Sequence, residues 1–147
     1  MKLAVIIPFA IVAVTLVACG KDKFKTNPQI EIKSVNKKTV GRNETLTVKL
    51  KFTDKEGDIA DGFFVYIPKR LNSRPLPPTI PDYDSVKLLV PHFPDETQGE
   101  YDLQLPWLFL HKSDTENDSI ILRFVAVDRG NNKSDTVSSS RIVILKN

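Results

Sequence analysis

One stretch of this sequence, residues 44–53, alternates apolar and polar side chains. Its apolar members are Leu46, Val48, Leu50 and Phe52, which share one parity, and threonines and lysines fill most of the other. A period of two places successive side chains on opposite faces of an extended strand, whereas a helix needs a period near 3.6. The pattern therefore predicts a strand of an antiparallel sheet with one buried face and one wet face.

Six more segments show strand signals, and turn-forming glycine, proline, asparagine and aspartate separate them. They are residues 30–33, 62–68, 86–90, 101–105, 119–127 and 136–145. The run from Phe63 to Ile67 is continuously apolar, which predicts either a strand covered on both faces or one with an aromatic face left for a partner. Residues 70–81 contain four prolines and cannot form a ladder strand, so we interpret them as a stiff extended connection or a recognition surface.

Seven short strands in about 120 residues are typical of an all-β antiparallel sandwich of the immunoglobulin-like or fibronectin-III-like kind. A jelly roll is the alternative with similar strand content. The chain has 147 residues, of which 41% are hydrophobic, so we expect one domain with a substantial core. Because Cys19 is the only cysteine, neither an internal disulfide nor a thiolate metal site can stabilise that domain.

Residues 1–18 have the layout of an export signal rather than of a folded domain. Lys2 precedes an apolar, uncharged run from Leu3 to Val17. A helix over that run spans about 22 Å at 1.5 Å per residue, which is less than the roughly 30 Å of a hydrocarbon core. The run therefore predicts the hydrophobic region of a signal peptide and not a stable transmembrane helix.

The signal ends in Leu16-Val17-Ala18-Cys19, which resembles the lipobox of bacterial lipoproteins. The resemblance implies attachment of diacylglycerol to Cys19 and cleavage of the bond before it. The implied partner is a lipid bilayer, and the implied location is the cell envelope after export, at the outer membrane. The alternative is an ordinary signal peptide or an uncleaved anchor with a chance cysteine. The implied division is a signal peptide (1–18), a lipidated flexible tether (19–27) and a folded β-sandwich domain (28–147).

Two segments of the domain resemble loops of bacterial immunoglobulin-like and cadherin-like modules. Ala126, Asp128, Gly130 and Asn131 are similar to the ending of the F strand in these modules, and residues 52–58 resemble the corner between their B and C strands. Small exported lipoproteins of the Bacteroidota carry domains of this kind. The disulfide that links B and F strands in antibodies is excluded by the single cysteine.

Acidic residues concentrate in the two loops that this topology would bring to one end of the sandwich. Carboxylate and carbonyl oxygens are the ligands of Ca²⁺, which takes roughly six to eight of them. The hypothesis is a Ca²⁺ site, and the alternative is that the loop residues stay solvated and form Asx turns. The candidate ligands are Asp54, Glu56, Asp58 and Asp61 in the first loop, and Asp128, Asn131 and Asp135 in the second.

The same topology starts the first strand beside the acidic loops, so the opposite end would point away from the membrane. That end holds the apolar run of residues 106–110. Trp107 and Phe109 are candidate partner-binding residues, because aromatic side chains stack on sugars and form hot spots at protein interfaces. The alternative is that the run packs against the sandwich as a cap.

Charge and motifs argue against nucleic-acid binding and catalysis. Removing Lys2 with the signal lowers the formal charge from +3 to +2, and the remaining basic residues form no stripe. His92 and His111 have no acidic partner at ligand spacing, and no nucleophile elbow or phosphate loop occurs. We therefore predict a non-catalytic binding or scaffolding module for an envelope protein or glycan. The alternatives are a small hydrolase built on the acidic loops and a purely structural spacer.

Overall fold

The structure, a computed structural model, describes residues 27–147. The predicted signal peptide, the lipidation site Cys19 and nearly all of the tether lie outside the described residues. Within residues 27–147 the chain forms nine strands and one short helix. These are β1 (Gln29–Val35), β2 (Thr39–Val40), β3 (Thr45–Thr53), β4 (Phe63–Arg70), β5 (Val86–Leu89), β6 (Gln98–Pro106), α1 (Trp107–Leu110), β7 (Asp118–Val127), β8 (Val137–Ser138) and β9 (Ile142–Ile144).

The strands form two sheets. The smaller sheet has the order β1-β3-β6, and the larger has the order β2-β9-β7-β4-β5, with β8 also pairing with β7. Every pairing is antiparallel except the parallel contact between β2 and β9. The all-β sandwich is therefore confirmed. Its order is immunoglobulin-like, with β1, β3 and β6 in the roles of strands A, B and E and the larger sheet built around G, F and C.

The alternating stretch at residues 44–53 forms β3 and buries its apolar face as predicted. Leu46, Val48 and Leu50 are fully buried, and Phe52 is nearly so. They pack against the larger sheet, where the ring centroid of Phe52 lies 6.4 Å from that of Phe64. Burial of side chains of this size contributes roughly 1.5–3 kcal/mol each, so this face ties the smaller sheet to the core.

The structure has nine strands where the sequence predicts seven. Residues 39–40 add β2, and the last predicted segment divides into β8 and β9. Two buried serines accompany this division. Ser139 Oγ accepts the N–H of Leu122 at 2.9 Å, and Ser134 Oγ accepts the N–H of Ala126 at 2.9 Å. Each hydroxyl takes the place of a backbone acceptor beside β7, which hydrophobic alternation does not reveal.

The exposure of the β4 side chains shows whether this apolar run is covered on both faces or on one. Phe64 and Tyr66 face the core, whereas Phe63 and Ile67 are 38% and 37% exposed on the opposite face. Among residues 27–147, the strand is thus covered on one side only. It also ends at Arg70, later than predicted, and the described chain forms no further strand until β5.

The two ends of the sandwich differ. Gln29 at the start of β1 pairs with Thr53 at the end of β3, so the chain enters the domain beside the β3–β4 loop. At the other end Thr45 pairs with Pro106, directly before α1. We call these the entry end and the far end.

No helix among residues 27–147 has the length and apolarity needed to cross a bilayer.

Candidate functional site

Three carboxylates from two loops meet at the entry end. Asp54 and Asp58 belong to the β3–β4 loop, and Asp128 directly follows β7. One oxygen of each lies within 4.8 Å of the others. The fold thus brings together residues that are far apart in sequence. We call these three residues the carboxylate cluster.

Asp54 organises the β3–β4 loop around its side chain. It is 1% exposed, and its carboxylate accepts the N–H groups of Asp58 at 3.0 Å and Glu56 at 3.4 Å. Gly57 supplies the positive φ of 71° that the turn requires. This is the Asx-turn behaviour that the sequence offers as the alternative to metal binding. Asp54 therefore has a structural role in addition to any role as a ligand.

Asp128 organises the loop after β7 in the same way. It is 2% exposed, and its carboxylate accepts the backbone N–H of Asn132 at 2.8 Å and the Nδ2–H of the same residue at 2.9 Å. Asn131 adopts a φ of 64° and donates its N–H to the Asp128 carbonyl at 3.1 Å. The sequence analysis missed Asn132. Consecutive asparagines after Gly130 mark a turn, but they do not show which side chain points inward.

The carboxylate cluster has no compensating cation within residues 27–147, since none of its members forms an ion pair there. Burial, followed by the neighbouring carboxyl group of Asp58 and its like charge, raises the pKa of Asp54 to about 6, although the backbone N–H groups of Asp58 and Glu56 that it accepts lower it. Asp58 Oδ1 is buried without a hydrogen-bond partner in this part of the chain. Buried negative charge is costly when uncompensated, so the cluster needs a shared proton or a cation.

A hard divalent ion suits the donors of the cluster. Ca²⁺ takes roughly six to eight oxygen ligands, and carboxylates together with loop carbonyls supply oxygen only. The unpartnered Oδ1 of Asp58 is the atom whose burial such an ion would compensate most directly. Asp54 and Asp128 are almost completely buried, whereas Asp58 is half-buried.

The other four predicted ligands do not join the carboxylate cluster. Glu56, Asn131 and Asp135 are exposed. Asp61 is also exposed, and its Oδ2 lies 2.8 Å from Nδ1 of His92. Sequence reasoning had no means of separating the loop residues that turn inward from those that face water.

Both histidines have acidic neighbours, contrary to the expectation from spacing. The Asp61–His92 contact joins residues 31 positions apart, which no local motif reveals. His111 Nε2 lies 3.5 Å from Asp114 Oδ1, and its ring stacks on Trp107 with the centroids 4.1 Å apart. Each histidine contacts a single carboxylate, so neither pair resembles a metal-ligand set. Among the residues that the structure describes, the carboxylate cluster is the group whose geometry suits a metal ion.

The far end presents an exposed apolar pair on α1. Trp107 is 8% exposed and donates its Nε1–H to the carbonyl of Leu145 at 2.8 Å, so it caps the sandwich and does not offer its ring to a partner. Leu108 and Phe109 are 73% and 65% exposed. Because Trp107 and Leu110 are the buried residues of this helix, the two between them point outward. We call Leu108 and Phe109 the apolar tip.

No family model and no curated protein sequence matches this chain. Two solved structures share a partial likeness. The sporulation control protein Spo0M from Bacillus subtilis has a TM-score of 0.43 and 10% identity, over 82% of this chain and 50% of that one. A beta-glucosidase from Listeria innocua in complex with glucose has a TM-score of 0.39 and 12% identity, over 81% of this chain and 16% of that one. This chain thus spans 50% of the first protein and 16% of the second. Neither likeness supports an argument about function.

Proposed function

We propose that this protein is an exported lipoprotein whose β-sandwich serves as a non-catalytic binding module of the cell envelope. Acylated Cys19 holds it on a lipid bilayer, at the outer membrane, and its partner is an envelope protein or a glycan. The lipobox at residues 16–19 supports the anchor. The observation that carries the binding role is the position of the apolar tip.

The apolar tip and the start of the domain lie at opposite ends of the sandwich. β1 begins at the entry end, where Gln29 pairs with Thr53, whereas α1 follows the pairing of Thr45 with Pro106 at the far end. A short lipid-linked tether therefore directs the carboxylate cluster toward the membrane and the tip away from it. Adjacent large apolar side chains at such a position favour a partner that removes them from water.

The anchor is tested by labelling cells with an alkyne-bearing fatty acid. The wild-type chain should take up the label, and Cys19→Ser should lose it, because no other cysteine is available for a thioether. A matched Thr26→Ser change in the tether should leave labelling intact. Undiminished labelling of Cys19→Ser would contradict lipidation while leaving the binding role of the domain open to its own test.

The binding role is tested with a photo-crosslinking amino acid at position 108 in the envelope of the source organism. We expect a discrete adduct, or cross-linking to purified envelope glycan, and none from the exposed control position 96 at the entry end. Leu108→Ser with Phe109→Ser should weaken binding roughly 30-fold or more, since a single hot-spot side chain contributes about 2 kcal/mol or more. An unchanged melting temperature shows that the fold is retained. Equal cross-linking at both positions, or binding that survives both substitutions, would contradict the proposal.

Ca²⁺ binding by the carboxylate cluster is a second candidate function, favoured by the buried, unpartnered Oδ1 of Asp58. An ion there would join the β3–β4 loop to the segment after β7 and stiffen the entry end. At a hundredfold excess over Kd it would stabilise the domain by about 2.7 kcal/mol, which is a rise of roughly 10 °C in Tm. Melts with millimolar Ca²⁺ or with chelator should show this rise in wild type and in Glu56→Gln, but not in Asp58→Asn. Identical melts in both buffers would exclude the site.

A further inference from the structure

The larger sheet has an apolar outer face that none of the described residues covers. On β4, Phe63 and Ile67 are 38% and 37% exposed, and on the neighbouring β5, Leu89 is 62% exposed. Val125 and Val127 of β7 are in register with β4 and are half-buried on the same face. A cluster of this kind on one sheet face is a candidate contact surface.

Part of this face is recessed into a shallow groove of about 420 Å³. Its floor consists of Phe63 and Val65 of β4 with Val125 and Val127 of β7. Lys87 of β5 forms one rim, and Lys133, which bridges to Val127, forms the other together with Asn131. We call these seven residues the outer groove. It lies on a sheet face near the entry end, and it shares no residue with the apolar tip or with the carboxylate cluster.

The charged residues at the outward positions of β4, β5 and β7 are all cations, namely Lys69, Lys87 and Arg123. The segment after β7 adds Lys133 and the exposed Asp135, so cations outnumber anions around the outer groove. These cations form no ion pair with residues 27–147. A second copy docking through the same face would bring two surfaces of net positive charge together, which is unfavourable. The complementary occupant is a negatively charged, partly apolar molecule.

The shape of the outer groove favours a chain over a bilayer. Its apolar floor lies between two lysine rims, so a flat lipid surface would meet the lysines before the floor. An extended peptide is narrow enough to enter. It also places every second side chain on the same side, with a rise of about 3.3 Å per residue.

The spacing of the rims sets a pattern for that peptide. Lys87, Val65 and Val125 lie in one cross-strand row, and Lys133 lies one strand beyond Val127. Three strand spacings of about 4.8 Å, with an offset of two residues along the strand, separate the lysine backbones by roughly 16 Å. Residues i and i+4 of an extended peptide are about 13 Å apart, and flexible lysine and carboxylate side chains cover the difference.

We propose that the outer groove binds an extended acidic segment of a partner protein, with the pattern acidic–x–apolar–x–acidic. The central apolar side chain covers the floor, and the two carboxylates meet Lys87 and Lys133. This surface goes beyond the role proposed for the apolar tip, and it does not depend on the identity of the partner at that tip.

Fluorescence anisotropy with synthetic peptides tests the proposal on the full-length protein in phosphatidylcholine nanodiscs. The probe is a labelled seven-residue peptide with the core Glu-Ser-Leu-Ser-Glu. The control peptide has the same composition rearranged as Glu-Glu-Ser-Ser-Leu, and a second control replaces both glutamates by lysine. We expect the probe to bind at least tenfold more tightly than either control.

Matched variants of the protein locate the binding. Lys87→Glu with Lys133→Glu should weaken binding of the probe at least tenfold. Lys38→Glu with Lys146→Glu changes the net charge equally at the far end and should leave binding unchanged. All four lysines are exposed, so both variants should fold, and this is checked by circular dichroism and by the melting temperature.

The same variants separate the other occupants. Equal affinity for the probe and the rearranged peptide, no measurable binding, or binding that survives Lys87→Glu with Lys133→Glu would overturn the proposal. Recruitment of vesicles containing phosphatidylglycerol that is lost in this variant, without peptide binding, would assign the face to lipid instead. A dimer that dissociates in the same variant during sedimentation would assign it to a second copy.

Discussion

Asp54 shapes the β3–β4 loop and also contributes charge to the carboxylate cluster. Its pKa is raised to about 6 by burial and by Asp58, whereas an unfolded aspartate titrates near 4. The folded state therefore holds this proton more tightly than the unfolded chain. The resulting stability is fully present below about pH 4 and is lost as pH rises through about 6.

The predicted effect is a stability difference that depends on pH. In chelator, the free energy of unfolding of wild type relative to Asp54→Asn should fall by roughly 1–3 kcal/mol between about pH 4 and pH 7. Denaturant unfolding of both proteins at each pH measures this, and taking the difference removes the contribution of other titrating groups. Saturating Ca²⁺ should reverse the slope, because the ion displaces the proton. A difference that does not change with pH would contradict proton sharing in the cluster.

Arg70 compensates a second buried charge, this time with a cation. Its Nε–H donates to Asp118 Oδ1 at 2.7 Å, and the side chain of Asp118 is fully buried. A second guanidinium N–H donates to Glu116, which is partly exposed. Asp118 Oδ2 also accepts the N–H groups of Lys112 and Ser113, so this ion pair ties the end of β4 to the segment before β7.

Removing the guanidinium should be strongly destabilising. Arg70→Met leaves the carboxylate of Asp118 buried without its cation, and we expect a loss of about 3–5 kcal/mol in unfolding free energy. Glu116→Gln is the matched control and should cost far less, because this partner is partly in water. Denaturant unfolding measures both. Equal losses from the two variants would contradict the assigned roles.

At the scale of elements, β3 and the final strands show what periodicity can and cannot reveal. β3 obeys the two-residue period because one face packs on the core and the other meets water. The final segment instead divides into β8 and β9 around the buried side chain of Ser139. Sequence patterns treat a serine only as a polar residue. They therefore do not show that the Ser139 hydroxyl accepts a backbone N–H from β7.

Ser139→Ala tests that role. The substitution leaves the buried N–H of Leu122 without an acceptor, and the expected loss in unfolding free energy is about 1–3 kcal/mol. Ser138→Ala, at the neighbouring exposed position, should change stability by about 0.5 kcal/mol or less. Thermal or denaturant unfolding of the two variants checks the prediction. Similar values for both would show that the Oγ of Ser139 contributes nothing to pairing along β7.

At the scale of the whole molecule, the sandwich separates its two candidate sites by the length of its strands. β3 has nine residues, so its ends lie roughly 30 Å apart at about 3.4 Å per residue. The carboxylate cluster lies at one end and the apolar tip at the other. If Cys19 is acylated, the tether holds the cluster close to the bilayer and the tip in solvent.

Energy transfer to a dye in the bilayer measures this orientation. Single cysteines at the exposed positions Glu96, near the entry end, and Lys146, near the far end, can carry the donor once Cys19 is acylated. We expect strong transfer from position 96 and much weaker transfer from position 146, because the two differ by roughly 30 Å in height. Equal transfer from both positions would contradict an upright domain.

The sequence by itself determined the fold class, because alternation and turn residues act locally and leave few ways to bury one face of each strand. It also identified the two acidic loops and the apolar run of residues 106–110. Only the tertiary structure decided which side chains turn inward: Asp54, Asp58 and Asp128 gather at the entry end, and Trp107 is buried while Phe109 is exposed. Burial and charge compensation depend on neighbours distant in sequence, and these exist only once the sheets have packed.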